Sequence, residues 1–378
     1  MSLSRAVLDL AALPLKLLHG HRPRRSPSDP RILVIRRNRM GDMIYTLPLL
    51  HALRRHFPHA HLTVACDPPG APIAQACPAV NDVIVLEPGW NPWQAALKNA
   101  ARLQDYDWVL AAKGGFDRRL AVLTRLTNAA IRIGFERRVD HPSAYYTDPV
   151  ALPGEPNEEH QIDTLLRLLK PLGLLKPTVF TVDLSLRLPD SARKFAAEIR
   201  ERPPFGSSYR FMLINLSSTV RLKFREEDFI ALAGRVLGST NFAIGLVAAP
   251  DDQQKAREIA FCMGSKRIAA VDTPGPLDLA ALLEHASFLL TPEGGAAHMA
   301  AAVGTPALVL WSEGPFKKWH SRGRKHAFVH AEPGEETIPV ERVWKALQPF
   351  LPQKKDDDDE ITWSDSLELP PSSGFMPK

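Results

Sequence analysis

Cysteine is scarce. The 378-residue chain has three, Cys66, Cys77 and Cys262, and no two of them are spaced C-x-x-C. An odd, unpatterned count excludes a disulfide framework and a cysteine zinc site, and it fits a reducing compartment. Long apolar runs are also missing. Nothing reaches the roughly 18–20 uninterrupted apolar residues of a spanning helix, so a cytoplasmic chain is expected. Charge is nearly balanced, with 47 Lys plus Arg against 42 Asp plus Glu. That mild basic surplus suits anionic partners such as phosphates, nucleotides or anionic lipid without choosing among them. With no zinc-finger or RNA-recognition signature, a nucleic-acid partner is not expected. What the chain does have is an ordinary globular composition, 45% hydrophobic and 24% charged, and an excess of proline, 34 residues. Its length suits two domains.

The two ends differ from the body. Residues 3–18, LSRAVLDLAALPLKLL, are mostly apolar and are followed by the basic HGHRPRRSP. Asp9 and Lys16 interrupt the apolar part and the positive charges follow it, which is the wrong order for a signal peptide. Residues 3–25 could lie in the inner-membrane interface, leucines in lipid and Arg22, Arg24 and Arg25 near anionic headgroups. A helix packed on the protein's own body is the alternative. At the other end, residues 353–378 carry seven acidic and three basic side chains, including Asp356 to Asp359. That block reads as a solvated acidic tail rather than a metal site.

From residue 31 strand and helix patterns alternate. Strands are expected at 31–36, 61–66, 82–87, 107–112 and 130–135, with helices at 43–57, near 71–77 and 92–104, and at 158–174. The alternation pauses over 176–190. It resumes with strands at 211–217, 242–249, 267–271, 287–291 and 306–311 and helices at 191–201, 228–238, 251–263, 277–286, 296–304 and 338–350. Repeated βα units imply parallel sheets with helices on both faces. The expected fold class is α/β, two Rossmann-like domains at 31–182 and 205–350, between a leader (1–30) and a tail (353–378). Ligands of such sheets bind at the carboxyl ends of the strands.

Two strand-to-helix loops carry chemistry. In RRNRMGDMIYTLP (36–48), Gly41 allows a tight turn and Asp42 opens a helix, surrounded by Arg36, Arg37 and Arg39. Asp42 could be a plain N-cap, and the arginines suit an anionic ligand. In SFLLTPEGGAAHMAAAVGTPALVLW (287–311), Gly294 and Gly295 precede an Ala-rich helix bearing His298. Two glycines at a helix start let backbone N–H groups approach a phosphate, though a plain tight turn has the same spelling.

Together with YDWVLAAKGGFDRRLA (106–121) and RIGFERR (132–138), these loops resemble glycosyltransferase family 9, the heptosyltransferases of lipopolysaccharide core synthesis. The likeness runs from about residue 31 to 350. It implies a GT-B architecture, two Rossmann-like domains facing across a cleft. It also implies inverting transfer of heptose from ADP-heptose to an acidic sugar of the lipid A inner core. No metal or other cofactor is implied. Asp42 matches the family's catalytic base. Ser217, Ser218, Arg221, Lys223, Asp251, Glu293, Gly294, Gly295, Ala296 and His298 fall on its nucleotide-sugar positions, with Asp252 a substitute for Asp251. Arg36, Arg39, Lys113, Arg118 and Arg119 are the candidate acceptor contacts. Four places depart from the family pattern. Glu293 stands for Asp, and Leu222, flanked by Arg221 and Lys223, stands for Lys. Phe224 stands for Trp, and Asn38-Arg39 stand for a Ser pair. They leave open a transferase of another nucleotide sugar for an envelope polysaccharide, or a non-catalytic nucleotide- or glycan-binding relative.

Overall fold

The computed structural model describes residues 29–87, 98–99, 101–137, 144–155, 157–174, 182–206, 210–218 and 223–351. The leader up to residue 28, the acidic tail and Arg221 therefore lie outside the described residues, as does most of the helix expected over 92–104. Among the described residues no helix is long and apolar enough to cross a membrane.

The chain divides into two compact units, with the boundary between Arg187 and Leu188; Lys317–Trp319 count with the first. The first unit contains β1 (Arg31–Arg36), α1 (Met40–His56), β2 (His61–Cys66), α2 (Ala71–Ala76), β3 (Asp82–Val85), β4 (Trp108–Ala111), α3 (Arg118–Leu126), β5 (Ile131–Glu136), β6 (Asp148–Ala151) and α4 (Gln161–Leu166). Its strands form one parallel sheet in the order β3-β2-β1-β4-β5-β6. The second unit contains α5 (Asp190–Glu201), β7 (Phe211–Asn215), α6 (Glu226–Ser239), β8 (Ala243–Val247), α7 (Gln253–Met263), β9 (Ile268–Ala270), α8 (Pro276–His285), β10 (Phe288–Pro292), α9 (Gly295–Val303), β11 (Ala307–Trp311), β12 (His326–His330) and α11 (Val340–Leu347); the short helix α10 (Phe316–Trp319) lies between β11 and β12 in the chain, with all but its first residue counted with the first unit. Its sheet, also parallel, has the order β12-β11-β10-β7-β8-β9.

The central strands RILVIR, FMLIN, FLLTP and ALVLW are nearly continuous apolar runs because helices cover both faces of each sheet. Ile32, Leu33, Val34 and Ile35 are fully buried, as are Met212, Leu213 and Ile214. Each sheet reverses its strand order once, between β1 and β4 in the first unit and between β7 and β10 in the second. A ligand crevice forms at such a reversal, outside the carboxyl ends of the strands.

Several elements depart from expectation. Strands β6 and β12, unforeseen, are both sheet edges. β6 carries Pro149, which an edge tolerates because one side of the ladder is unpaired. The helix expected over 158–174 ends at Leu166 and tightens into a 3-10 turn, Arg167–Leu172, because the ring of Pro171 cannot continue an α-helix. The helix expected over 338–350 tightens at Pro349 in the same way. Helix α3 was missed entirely: RRLAVLTRL begins immediately after a Gly-Gly loop, and its N-cap, Asp117, accepts a hydrogen bond from the Leu120 amide at 2.9 Å. Helix α5, expected to lie outside both domains, packs on α8 and belongs to the second unit.

The glycine of R-I-G-F has a packing reason. A Cβ on Gly134 would stand 2.3 Å from the Tyr146 ring. Gly134→Ala should therefore destabilise the chain by about 1–3 kcal/mol through overpacking, read as a lower urea midpoint. An unchanged midpoint would show that the ring does not lie against this strand.

Candidate active site

In the first unit the reversal point is spanned by one side chain. Arg36 is the last residue of β1, and its side chain is 2% exposed. Nη1 donates to the carbonyl of Ala112, immediately after β4, at 2.5 Å. Nη2 donates to Oδ1 of Asp42 in a short ion pair. Among the described residues the Nε proton has no partner. Burial pushes the Arg36 guanidinium below its ordinary value, and the charge of Asp42 and its hydrogen bond pull it back up.

Asp42 is not the N-cap of α1. It occupies the third helical position, and the N-cap is Arg39, in extended conformation. The carboxylate folds back so that Oδ2 accepts from the Arg39 amide at 3.2 Å. This arrangement satisfies one orphan donor of the helix start and places a negative charge at the positive end of the dipole. The carboxylate is 19% exposed, so it is partly open to solvent. A second carboxylate, Asp67 just after β2, holds the loop: it accepts from Arg37 Nε at 3.2 Å and from the Asn38 amide at 2.9 Å. Asn38 has φ +96°, a left-handed conformation that Asn tolerates better than most residues.

After β4 the chain passes Lys113, whose Nζ bonds Asp117 Oδ2 at 2.5 Å. Burial opposes the Asp117 charge, but the Lys113 bond, the Leu120 amide and the nearby charges of Lys113 and Arg37 prevail and hold this carboxyl below its ordinary range. Lys113 is thus committed to the cap of α3. Arg118, half-buried, and Arg119, exposed, occupy the first turn of that helix. Gly114 is required for space, since a Cβ there would lie 2.3 Å from the amide nitrogen of buried Gln161.

In the second unit the reversal point carries a neutral crosslink. Asn215, ending β7, donates from Nδ2 to Thr291 Oγ1 of β10 at 3.0 Å. Ser217 extends this network: its hydroxyl donates to Asp252 in a short bond and accepts from the Ala249 amide at 2.8 Å. Of the two candidates in the loop after β8, Asp252 joins the network and Asp251 stays exposed. Ser218, half-buried, follows Ser217.

Next to this crosslink α9 begins at Gly295. Its N-cap, Gly294, has φ +144°, a value that a residue with a Cβ rarely adopts, and it offers no side chain to the first amides. Ala296 and Ala297 are buried, as is His298. An uncapped N-terminus presents backbone donors and a positive field to an anion.

Glu293 is turned away from that helix start. Its Oε1 accepts from the amides of Ser312 and Glu313, just past β11, at 3.1 and 3.2 Å. Ser312 in turn accepts from the Lys223 amide at 3.1 Å, and Lys223 Nζ lies 3.6 Å from Glu313 Oε1. Burial pushes Glu293 above its ordinary range. The two amides draw it back without prevailing, and the Glu313 charge adds to the rise. Among the described residues no group of three or more His, Cys, Asp or Glu is placed to hold a metal ion.

The family model described as glycosyltransferase family 9 (heptosyltransferase) matches residues 94–341. The chain belongs to glycosyltransferase family 9. Lipopolysaccharide heptosyltransferase 3 of Escherichia coli is 24% identical over 289 residues, 72% of this chain and 80% of that protein. A solved family 9 glycosyltransferase from Veillonella parvula aligns with a TM-score of 0.73 at 20% identity, covering 85% of this chain and 97% of that one. Escherichia coli heptosyltransferase WaaC with ADP aligns at 0.68 and 20%, covering 85% and 99%. The structural likenesses establish the fold, the GT-B type with its two parallel-sheet units. Membership makes the chain a glycosyltransferase.

Within this family 9 chain the candidate residues thus form two groups. Arg36, Arg39, Asp42 and Lys113 stand around the first reversal point. Ser217, Asp252 and the 293–298 loop stand around the second, with Lys223 tied to the neighbouring end of β11. Asp67, Asp117, Gln161, Asn215, Thr291, Ser312 and Glu313 were not foreseen. For Asp67, Asn215, Thr291, Ser312 and Glu313 the signal was position just after, or near the end of, a strand; Asp117 and Gln161 stand at helix starts.

The raised Glu293 carboxyl has a pH consequence. Its ionisation costs more in the folded chain than in the unfolded one, so its contribution is fully present below its ordinary value of 4.5 and is lost as pH rises through the raised value. Glu293→Gln keeps an acceptor for the two amides. Its melting temperature should match the parent at about pH 4, exceed it as pH rises through the raised value, and keep a constant lead above it. An equal difference at every pH would contradict the assignment.

Proposed function

We propose that the chain is an inverting heptosyltransferase that moves heptose from ADP-heptose to the inner core of lipopolysaccharide, with Asp42 as general base. The observation that carries this reading is the placement of Asp42. It is a carboxylate at the carboxyl edge of the first sheet, held by Arg36 and the Arg39 amide and still partly exposed. The heptosyltransferase relative and the ADP-bound family structure support the donor and acceptor classes.

The chemistry follows from the lone pairs. Each carboxylate oxygen of Asp42 accepts one hydrogen bond from the protein and keeps capacity for another. An acceptor hydroxyl donating there loses its proton to Asp42 as its oxygen attacks the anomeric carbon. The bond from that carbon to the β-phosphate oxygen breaks on the opposite face, so configuration inverts, and ADP leaves with the electron pair. Arg36 fixes the carboxylate and meets its charge. The leaving diphosphate is assigned to the amides at the start of α9, with Lys223 as its cation. Arg39, Arg118 and Arg119 are assigned to acidic groups of the acceptor.

Asp42→Asn should lower kcat by roughly 10²–10⁴, the usual worth of a general base, while calorimetry still shows ADP binding. Transfer within a few-fold of the parent would remove Asp42 from the role. Preference for UDP or GDP over ADP would move the reading to another nucleotide sugar, and absence of binding to any of the three would remove its donor half.

The leader residues 3–25 are assigned to the inner-membrane surface through their leucines and arginines. The full chain should sediment with anionic liposomes, and a chain lacking residues 1–28 should not. Equal sedimentation of the two would reject that assignment.

A further inference from the structure

Lys223 and Glu313 come from loops on either side of β10, the first after β7 and the second after β11. Their backbones are pinned while their side chains are not. The Lys223 carbonyl accepts from the Ile338 amide at 2.7 Å, and its amide donates to Ser312 Oγ at 3.1 Å. The Glu313 amide is held by buried Glu293 at 3.2 Å. Across this fixed frame Nζ of Lys223 stands 3.6 Å from Oε1 of Glu313, with the lysine 17% and the glutamate 58% exposed. An aspartate at 293 would be one methylene shorter, and the clamp on the Glu313 amide depends on that reach.

We propose that Glu313 is a competing counter-ion for Lys223, holding the lysine when the nucleotide is absent and weakening the grip on the diphosphate so that ADP departs after transfer. This inference rests on the reading of the second unit as the ADP site. A partly exposed ion pair is worth little by itself, so a diphosphate can take the lysine from it. Glu313 is a positioning residue, acting on the nucleotide through Lys223.

The test is a double-mutant cycle on the full chain, with ADP as the probe. Calorimetry gives the Kd and stopped-flow mixing the dissociation rate. Glu313→Gln should tighten ADP about three- to tenfold, mostly through slower dissociation, and Glu313→Asp should stay near the parent. In a Lys223→Met background, where ADP binds more weakly, Glu313→Gln should change the Kd less than twofold. If the parent binds ADP and Glu313→Gln does not tighten it, the inference fails and the ADP reading stands. Equal tightening in the Lys223→Met background also overturns it, since plain repulsion would then be enough. If the parent binds no ADP, both readings fall together. Glu313 is exposed, so loss of folding does not confuse the comparison.

Discussion

The first unit is organised around a buried positive charge. Taking the Arg36 guanidinium out of water costs several kcal/mol unless its donors are met by charge and by well-placed acceptors. Asp42 supplies the charge and the Ala112 carbonyl a second acceptor. Both lie where they do because β1 and β4 are neighbours and α1 begins just beyond β1. The hydrogen bond from Arg36 to Ala112 reads out the sheet topology, since it forms only when strands separated by more than seventy residues pair in parallel register; the ion pair to Asp42, six residues away, is local. The same pair sets the orientation of the carboxylate on which the reaction is assigned to act.

The second unit repeats the topology with different chemistry. Its reversal point is crossed by a neutral amide-to-hydroxyl bond from Asn215 to Thr291, and the adjoining helix start is left without a carboxylate. Helix α1 has its positive end occupied by Asp42, whereas α9 has a glycine N-cap and buried alanines. One βα turn thus presents an acid and the other presents bare amides. The two units share a strand order but not a role, and the difference comes from a few residues after two strands rather than from the sheets themselves.

Neighbouring loops then restrict what these residues can do. Lys113, a candidate for binding an acidic acceptor, is engaged by the helix cap Asp117. Glu293, a candidate nucleotide-sugar contact, spends one oxygen on the amides beyond β11. Each is the kind of side chain that a motif suggests for ligand and that packing recruits for support. Arg39 and Arg119 stay exposed.

Much of this was legible in the residues themselves. The inner strands read clearly because a strand buried on both faces must be apolar throughout, and the two turns read clearly because Gly-Asp and Glu-Gly-Gly at strand-to-helix junctions have local causes. Helix α3 and the edge strands β6 and β12 did not read clearly. An edge is half solvated and tolerates proline and histidine, and a helix that starts straight after a glycine loop gives little warning. By itself the sequence determined the α/β class, the two-unit division and the positions of Asp42 and the 293–298 loop, since periodicity and turn chemistry are local. Only the tertiary structure decided that β4 lies beside β1 and β10 beside β7. It alone brought Arg36 to Ala112, Asp252 rather than Asp251 to Ser217, and Lys223 to Glu313. Those pairings depend on strand order, and strand order is set by how whole layers pack rather than by any short run of residues.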